Sequence, residues 1–431
     1  MPDTAGGCGC CAPVADAGGC IYSRSGRGFG AGNVQESAID IAGSMSLMRI
    51  ALFAALLTGS TFGSSDFRIL NPPQGVIDSV SPIGISGDGQ RVVANIGLQP
   101  AIWSVAGGIV AIGQANGTVV NTRAAAISND GVTVVGSSQN PDGLSYSGWR
   151  WRSDVGFRLI PSTNGISASI LPIAVSSNGT VIFGNANTAW RWTAATGTVP
   201  LPLLNGQSLH VNATDLSGSA ATGNQFRWDQ SGTTVNLTPG CSSVGYCFAN
   251  GNNTVFGTKR CPSDPNDRCF VNRGGQESFP TSPSFNSLEL FACSVDGTFA
   301  IGTGMGVQGL DGAIMVPNRG VLRLRDFLTC RGVALPVGSR QVVAHAISND
   351  ARYLAGDLIN AAGRFEGWWA DLGPQVDCTA DFNFDCSVDL FDYLDFVDVF
   401  AGGSALADFN RDGIVDFFDY LDFVLAFSIA C

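Results

Sequence analysis

The sequence predicts a mainly β chain: a seven-bladed β-propeller followed by a small α-helical module with two loops. Three observations predict it. One short turn-and-strand signature recurs seven times through the middle of the chain. A strand-like segment precedes the first copy, and its counterpart is missing after the last. The acids, finally, are gathered at one end: residues 378–431 hold eleven Asp against the single basic residue Arg411, in a chain of net charge −12.

The chain opens with 1–44, a leader without hydrophobic periodicity that clusters four Cys and reads as an upstream mis-assigned start. At 45–63 follow Arg49, the apolar run "IALFAALL" and small residues, the order of a secretory signal peptide with cleavage between Ser60 and Ser64 and initiation at Met45 or Met48. The run is too short to span a bilayer, which takes about 20 residues. The expected protein is therefore exported, to a secreted or cell-surface location.

The repeats occupy 64–373. "ISGDGQRVVA" (85–94), "ISNDGVTVVG" (127–136), "VSSNGTVIFG" (175–184), "DLSGSAATG" (215–223), "FANGNNTVFG" (248–257), "CSVDGTFAIG" (293–302) and "ISNDARYLAG" (347–356) share a turn pair, a β run and a closing small residue. Most are trailed by an aromatic strand such as "GWRW" or "AWRW", then a Gly-bearing turn and a further apolar stretch. Asn/Asp-Gly pairs are hairpin chemistry, because Gly accepts positive φ without penalty. A unit of four short strands repeating every 33–54 residues suits one propeller blade. The fourth and fifth units are degenerate, so six or eight blades, a β-solenoid or paired sandwiches compete. "DFRILNP" (66–72) resembles "GFRLIPS" (156–162), the fourth strand of the second unit, whereas the seventh unit lacks a fourth strand. The N-terminal strand is expected to complete the last blade, so that neither edge stays open. The "S-x-D-G…VVG…W" pattern resembles extracellular repeats of the HAF type.

Export makes the nine Cys of the mature part disulfide candidates. Cys261 and Cys269 flank "PSDPNDR" and are expected to staple that loop, while Cys378 and Cys431 bracket the acidic end. Nine is odd, so at least one is free or bridges to another chain, and the remaining pairings stay open.

Residues 374–431 hold two near copies, "DFNFDCSVDLFDYLDF" (381–396) and "DFNRDGIVDFFDYLDF" (408–423). A calcium loop of the EF-hand kind places oxygens at positions 1, 3, 5, 7 (a backbone carbonyl), 9 and 12, with Gly at 6. Asp381, Asn383, Asp385, Ser387, Asp389 and Asp392 fill those places in the first copy. Asp408, Asn410, Asp412, Ile414, Asp416 and Asp419 fill them in the second. Acids at this density repel one another unless a cation neutralises them. Two calcium sites are therefore expected, the first weaker because Cys386 stands where Gly413 stands in the second and a side chain there costs ~1–2 kcal/mol. Tyr393, Leu394, Val397, Phe400 and their counterparts Tyr420, Leu421, Val424, Phe427 predict two amphipathic helices.

On these residues the C-terminal segment resembles a dockerin, with Asp at position 12 and no helix entering the first loop. The bracketing cysteines resemble the GC-type variant, although this chain ends Ala430-Cys431. The resemblance implies a small α-helical, two-loop calcium-binding domain, a Cys378–Cys431 bridge, and a cohesin-like or cell-envelope partner. Leu390, Phe391, Phe417 and Phe418, at loop positions 10 and 11, are then the partner-binding residues, or else part of the module's own packing.

Catalytic motifs are not found in the sequence. His210 and His345 stand apart from any nucleophile motif, and Asp296, Asp311, Asp350 and Glu366 are the carboxylates available for a glycosidase pair. With Lys259 as the sole Lys and no basic patch, nucleic acid is an unsuited partner. The expected function is a secreted, non-catalytic binding or scaffolding propeller attached through its calcium-dependent tail. The alternative is a polysaccharide-degrading glycoside hydrolase carrying a dockerin.

Overall fold

Six of the seven signatures fold as one recurring turn among the described residues, and its hydrogen bonds explain the letters. In blade 1 the Ser86 hydroxyl donates to Asp88 Oδ1 (2.5 Å) and accepts from the Arg91 N–H (3.0 Å), while Asp88 Oδ1 accepts from the Gln90 N–H. Ser176 with Asn178, Ser294 with Asp296 and Ser348 with Asp350 repeat the arrangement. Each turn so satisfies donors and acceptors that would otherwise be buried at a strand end. The fourth unit, degenerate by eye, exchanges the partners: Asp215 accepts from the Ser217 hydroxyl (2.6 Å) and from the Ala220 N–H (2.9 Å).

This computed structural model describes residues 65–113, 121–162, 166, 169–249, 254–262, 264–316, 320–373, 380–383, 387–404, 407–410 and 414–429, with the backbone alone at 243–249 and 264–267. The leader, the signal segment, Asp385, Cys386, Asp412, Cys378 and Cys431 lie outside them.

Among the described residues there are seven four-stranded antiparallel sheets, six of them meanders of consecutive strands. Their inner strands are Val80–Ile85, Thr122–Ile127, Leu171–Val175, Val211–Thr214, Ser242–Ala249, Ser287–Cys293 and Gln341–Ile347. Each inner strand carries a β-bulge at the same place, between Pro82 and Gly84 in blade 1 and between Ala344 and Ala346 in blade 7. Bulges sharpen twist, here in every strand nearest the axis. The ring closes as expected: Asp66–Ile69 is the outer strand of the last blade, pairing Asp66 with Asp371 and Ile69 with Trp368. Between neighbouring blades the signature turns join edge to edge. Gly87 N–H donates to Asn129 C=O (2.8 Å), Ser177 to Leu216 (2.7 Å), Val295 to Asn349 (3.1 Å) and Asn349 to Gly87 (3.1 Å). Among the described residues, backbone bonds thus run from blade 6 through 7, 1, 2 and 3 to blade 4 at one end of the axis.

The closing Gly of the signature has a steric cause. Gly136 sits opposite Trp149 and Gly184 opposite Trp190 across the sheet. A Cβ on Gly136 would stand 2.1 Å from the Arg123 carbonyl and 2.5 Å from the Trp149 ring; on Gly184 it would stand 2.2 Å from Trp190. The indoles lie over these bare backbones and are fully buried. Each such aromatic removes some ~150–250 Å² from water, so the core is a series of clusters between blades.

One element departs from the all-β expectation. Helix α1 (Leu324–Cys330) follows the outer strand of blade 6 and buries Leu324, Phe327 and Leu328 against Trp368 and Ile314 of adjoining blades. At its root Asp311, almost wholly buried, accepts from Arg323 (2.9 Å), Arg325 (3.1 Å) and the Val342 N–H (3.1 Å), tying blade 6 to blade 7.

The expected Cys261–Cys269 staple is not formed. Cys261 bridges to Cys241, with Cα atoms 4.3 Å apart. Register decides it: the hairpin pairs Cys261 with Asp264 and Cys269 with Thr258, while the inner strand of blade 5 begins at Ser242 opposite Arg260. Cys269 is a free, buried thiol whose pKa burial pushes up to about 12. Cys293 and Cys330 each take part in a disulfide.

Candidate functional site

The acidic repeats build two equivalent loop–helix units. In the first, Asp389 caps helix α2 (Leu390–Ala401), accepting from the Phe391 N–H (2.8 Å), and Asp392 completes a capping box by accepting from the Asp389 N–H (2.9 Å). Asp392 also accepts from the Asn383 N–H (3.0 Å), which folds the loop back on itself. The second unit repeats these bonds before helix α3 (Phe417–Ile429). Asp416 accepts from Phe418 N–H (2.8 Å), and Asp419 accepts from Asp416 (2.8 Å), Phe409 (2.7 Å) and Asn410 (3.1 Å). Burial alone would raise the pKa of Asp419; the three backbone donors outweigh it and hold the carboxyl below its ordinary value. The twelfth-position acids Asp392 and Asp419 are fully buried, and the first-position Asp381 is mostly buried.

The donor set suits a hard cation. Carboxylates, amides and carbonyls are calcium's ligands, and both loops present them at the ends that are described. Among the described residues no three His, Cys, Asp or Glu side chains converge on one point. The fifth-position acids Asp385 and Asp412 belong to the stretches outside them. Ser387 begins the short segment before Asp389, and Ile414 is exposed.

Between the helices, Phe396 and Phe423 stack with ring centroids 4.0 Å apart, enclosed by Phe382, Phe409, Tyr393 and Phe400. The hydroxyls of Tyr393 and Tyr420, equivalent residues of the two copies, meet at 3.0 Å. The helix face predicted from sequence holds at Tyr393, Val397, Phe400, Tyr420, Val424 and Phe427, which pack against this core. Leu394 and Leu421 are exposed instead, and Phe396 and Phe423, not named in that face, form the centre. Leu390, Phe391, Phe417 and Phe418 are each more than half exposed, Phe391 and Phe418 at 63% and 64%. Phe417 nonetheless stacks on Tyr420, with ring centroids 5.9 Å apart, so part of its surface serves the module's own packing.

The propeller's own candidates are spoken for. Asp296 and Asp350 serve their turns, Asp311 its two arginines, and Glu366 accepts from Asn360 (2.7 Å). His210 is exposed. His345, at the bulge of blade 7, bonds Asp357 at 3.0 Å and stacks on Phe291, while the Ser81 hydroxyl of blade 1 donates to the same carboxylate (3.3 Å). This cluster was not foreseen, because a bulge leaves no trace in periodicity. Ser81 bonds Asp357 rather than the imidazole, so the three are not ordered as a nucleophile, base and orienter.

No protein-family model matches the chain, and no curated protein does. Among solved structures, an oligogalacturonate lyase in complex with manganese is similar at TM-score 0.50 and 13% identity, covering 72% of this chain and 94% of that one. The oligogalacturonate lyase of Vibrio parahaemolyticus gives 0.49 and 10%, covering 72% and 98%. The β-propeller domain of the Trilobed protease from Pyrococcus furiosus gives 0.44 and 9%, covering 70% and 99%. At such identities the likeness concerns the propeller fold alone.

Proposed function

We propose that the protein is an exported, non-catalytic β-propeller that binds or scaffolds other molecules and is fastened to a partner by a calcium-dependent, dockerin-like tail. The observation that carries this is the pair of equivalent loops, each ending in a buried, backbone-bonded Asp that two exposed apolar side chains immediately precede. Calcium would be held by Asp381, Asn383, Asp385, Ser387, Asp389 and Asp392, and by Asp408, Asn410, Asp412, the Ile414 carbonyl, Asp416 and Asp419. Its charge offsets the repulsion among those acids and sets the helices at a fixed angle. Leu390, Phe391, Phe417 and Phe418 then form two matching apolar anchors, the kind of central cluster on which an interface depends. The partner is a cohesin-like or cell-envelope protein, and the location is secreted or surface-attached.

Calorimetric titration of the full chain with calcium is the test. Two sites are expected, the first loop weaker than the second, and the charge-reducing variant Asp419→Asn should abolish one of them. A chain that takes up no calcium would remove the tail from the proposal.

A further inference from the structure

A cavity of about 390 Å³ opens between the segment 237–241, which leads out of blade 4, and the face of blade 5. Its size is that of a small-molecule site. One wall is apolar: Leu237, Pro239 and the Cys241–Cys261 bridge. The other is polar and comes from three strands of blade 5. Lys259, the only Lys in the chain, is paired with Glu277, and their side chains are 13% and 24% exposed. The ammonium also lies 4.6 Å from the Phe279 ring centroid, so it is held from two sides. Asn272, paired with Glu277 across the strands and only 8% exposed, accepts from the Gly275 N–H (3.0 Å) through Oδ1. Its amide N–H₂ is left to the cavity.

Charge selects the ligand. The Lys259–Glu277 pair sums to zero, so an anion would face the carboxylate, a cation the ammonium, and a zwitterion would have to prise the two apart. A neutral, hydroxyl-rich molecule meets none of these costs. Its hydroxyls can accept from the remaining Lys259 and Asn272 N–H groups and donate to the remaining Glu277 lone pairs. Hydrogen bonds to charged groups are the stronger kind. The C–H face of a sugar ring is apolar enough to lie against Leu237, Pro239 and the disulfide. We infer that this cavity binds an uncharged sugar unit of one or two rings. The site does not rest on the calcium-dependent tail, whose calcium stoichiometry would be untouched by changes here.

The test is calorimetry of the full chain with cellobiose, xylobiose and maltose, set against digalacturonate and the zwitterion glycylglycine. At least one neutral disaccharide should bind, and digalacturonate and glycylglycine should bind more weakly. Glu277→Gln should weaken sugar binding about tenfold, the value of one charged hydrogen bond, with an unchanged melting temperature and two calcium ions still bound. Lys259→Met should act in the same direction. The inference falls if none of the three neutral sugars binds, if digalacturonate or glycylglycine binds as well as they do, or if both variants bind sugar as tightly as the parent.

Discussion

The propeller and the acidic tail are both made by repetition, yet they are held by opposite means. Each blade closes its own hydrogen bonds and then buries an aromatic against its neighbour, so almost no charge is needed; Trp149, Trp190 and Trp368 lie wholly inside. The two tail units share one small core around Phe396 and Phe423, in a segment that carries eleven Asp. A domain of this size gains too little from a single small core to fold comfortably alone. The contrast teaches where each part is vulnerable: the propeller to changes of volume, the tail to the loss of a counter-charge.

The largest effect should come from chelation. Calcium at a thousandfold excess over its Kd contributes about 4 kcal/mol per site, so a chelator is expected to strip hydrogen-exchange protection from the amides of α2 and α3 and leave the blades unchanged. Equal loss of protection in both regions would break the comparison. Next in size is the reverse experiment. Gly136→Ala forces a methyl into the space held by the Arg123 carbonyl and Trp149, and overpacking of this kind costs about 1–3 kcal/mol. Denaturant melts should show the propeller weakened and the calcium titration unaltered. The smallest effect sharpens the account of the turns. Ala351 occupies the place that Gly89, Gly131, Gly179 and Gly297 hold in other blades, at φ 59°. Ala351→Gly relieves a left-handed alanine and should raise stability by about 1 kcal/mol. A neutral or destabilising result would mean that blade 7 tolerates the strain through its neighbours.

What the sequence made legible follows the same division. Blade count, the turn pairs and the strand 66–69 completing the last blade were readable because each repeats a visible pattern or fills a visible gap. The role of Ser in the signature and of its final Gly became clear only from the contacts, since neither a hydroxyl bridging five residues nor an indole over bare backbone has a periodicity. Helix α1 was passed over because its apolar residues, Leu324, Phe327 and Leu328, span too short a stretch to show a period. The Cys261 pairing failed for a different reason: nearness in sequence suggested Cys269, but strand register placed Cys241 opposite instead. In the tail, spacing alone marked Asp389, Asp392, Asp416 and Asp419, which the structure shows as the acids that cap the helices and tie back the loops. The exposure of Phe391 and Phe418 was not readable, because the same letters serve a core or an interface.

The strand that closes the ring also fixes an order of events. Asp66–Ile69 is the first strand of the ring to be synthesised, and its partner Phe365–Asp371 is the last. A bond such as Trp369 Nε1 to the Gly89 carbonyl joins residues 280 positions apart. Contacts of that span are slow to form, so the early blades must wait as an open arc with both lateral edges unpaired. During that interval the first strand is a free edge able to pair with a neighbouring chain. The same clasp that makes the finished ring durable therefore makes its assembly a race between closure and entanglement, one in which dilution and slow delivery favour the monomer.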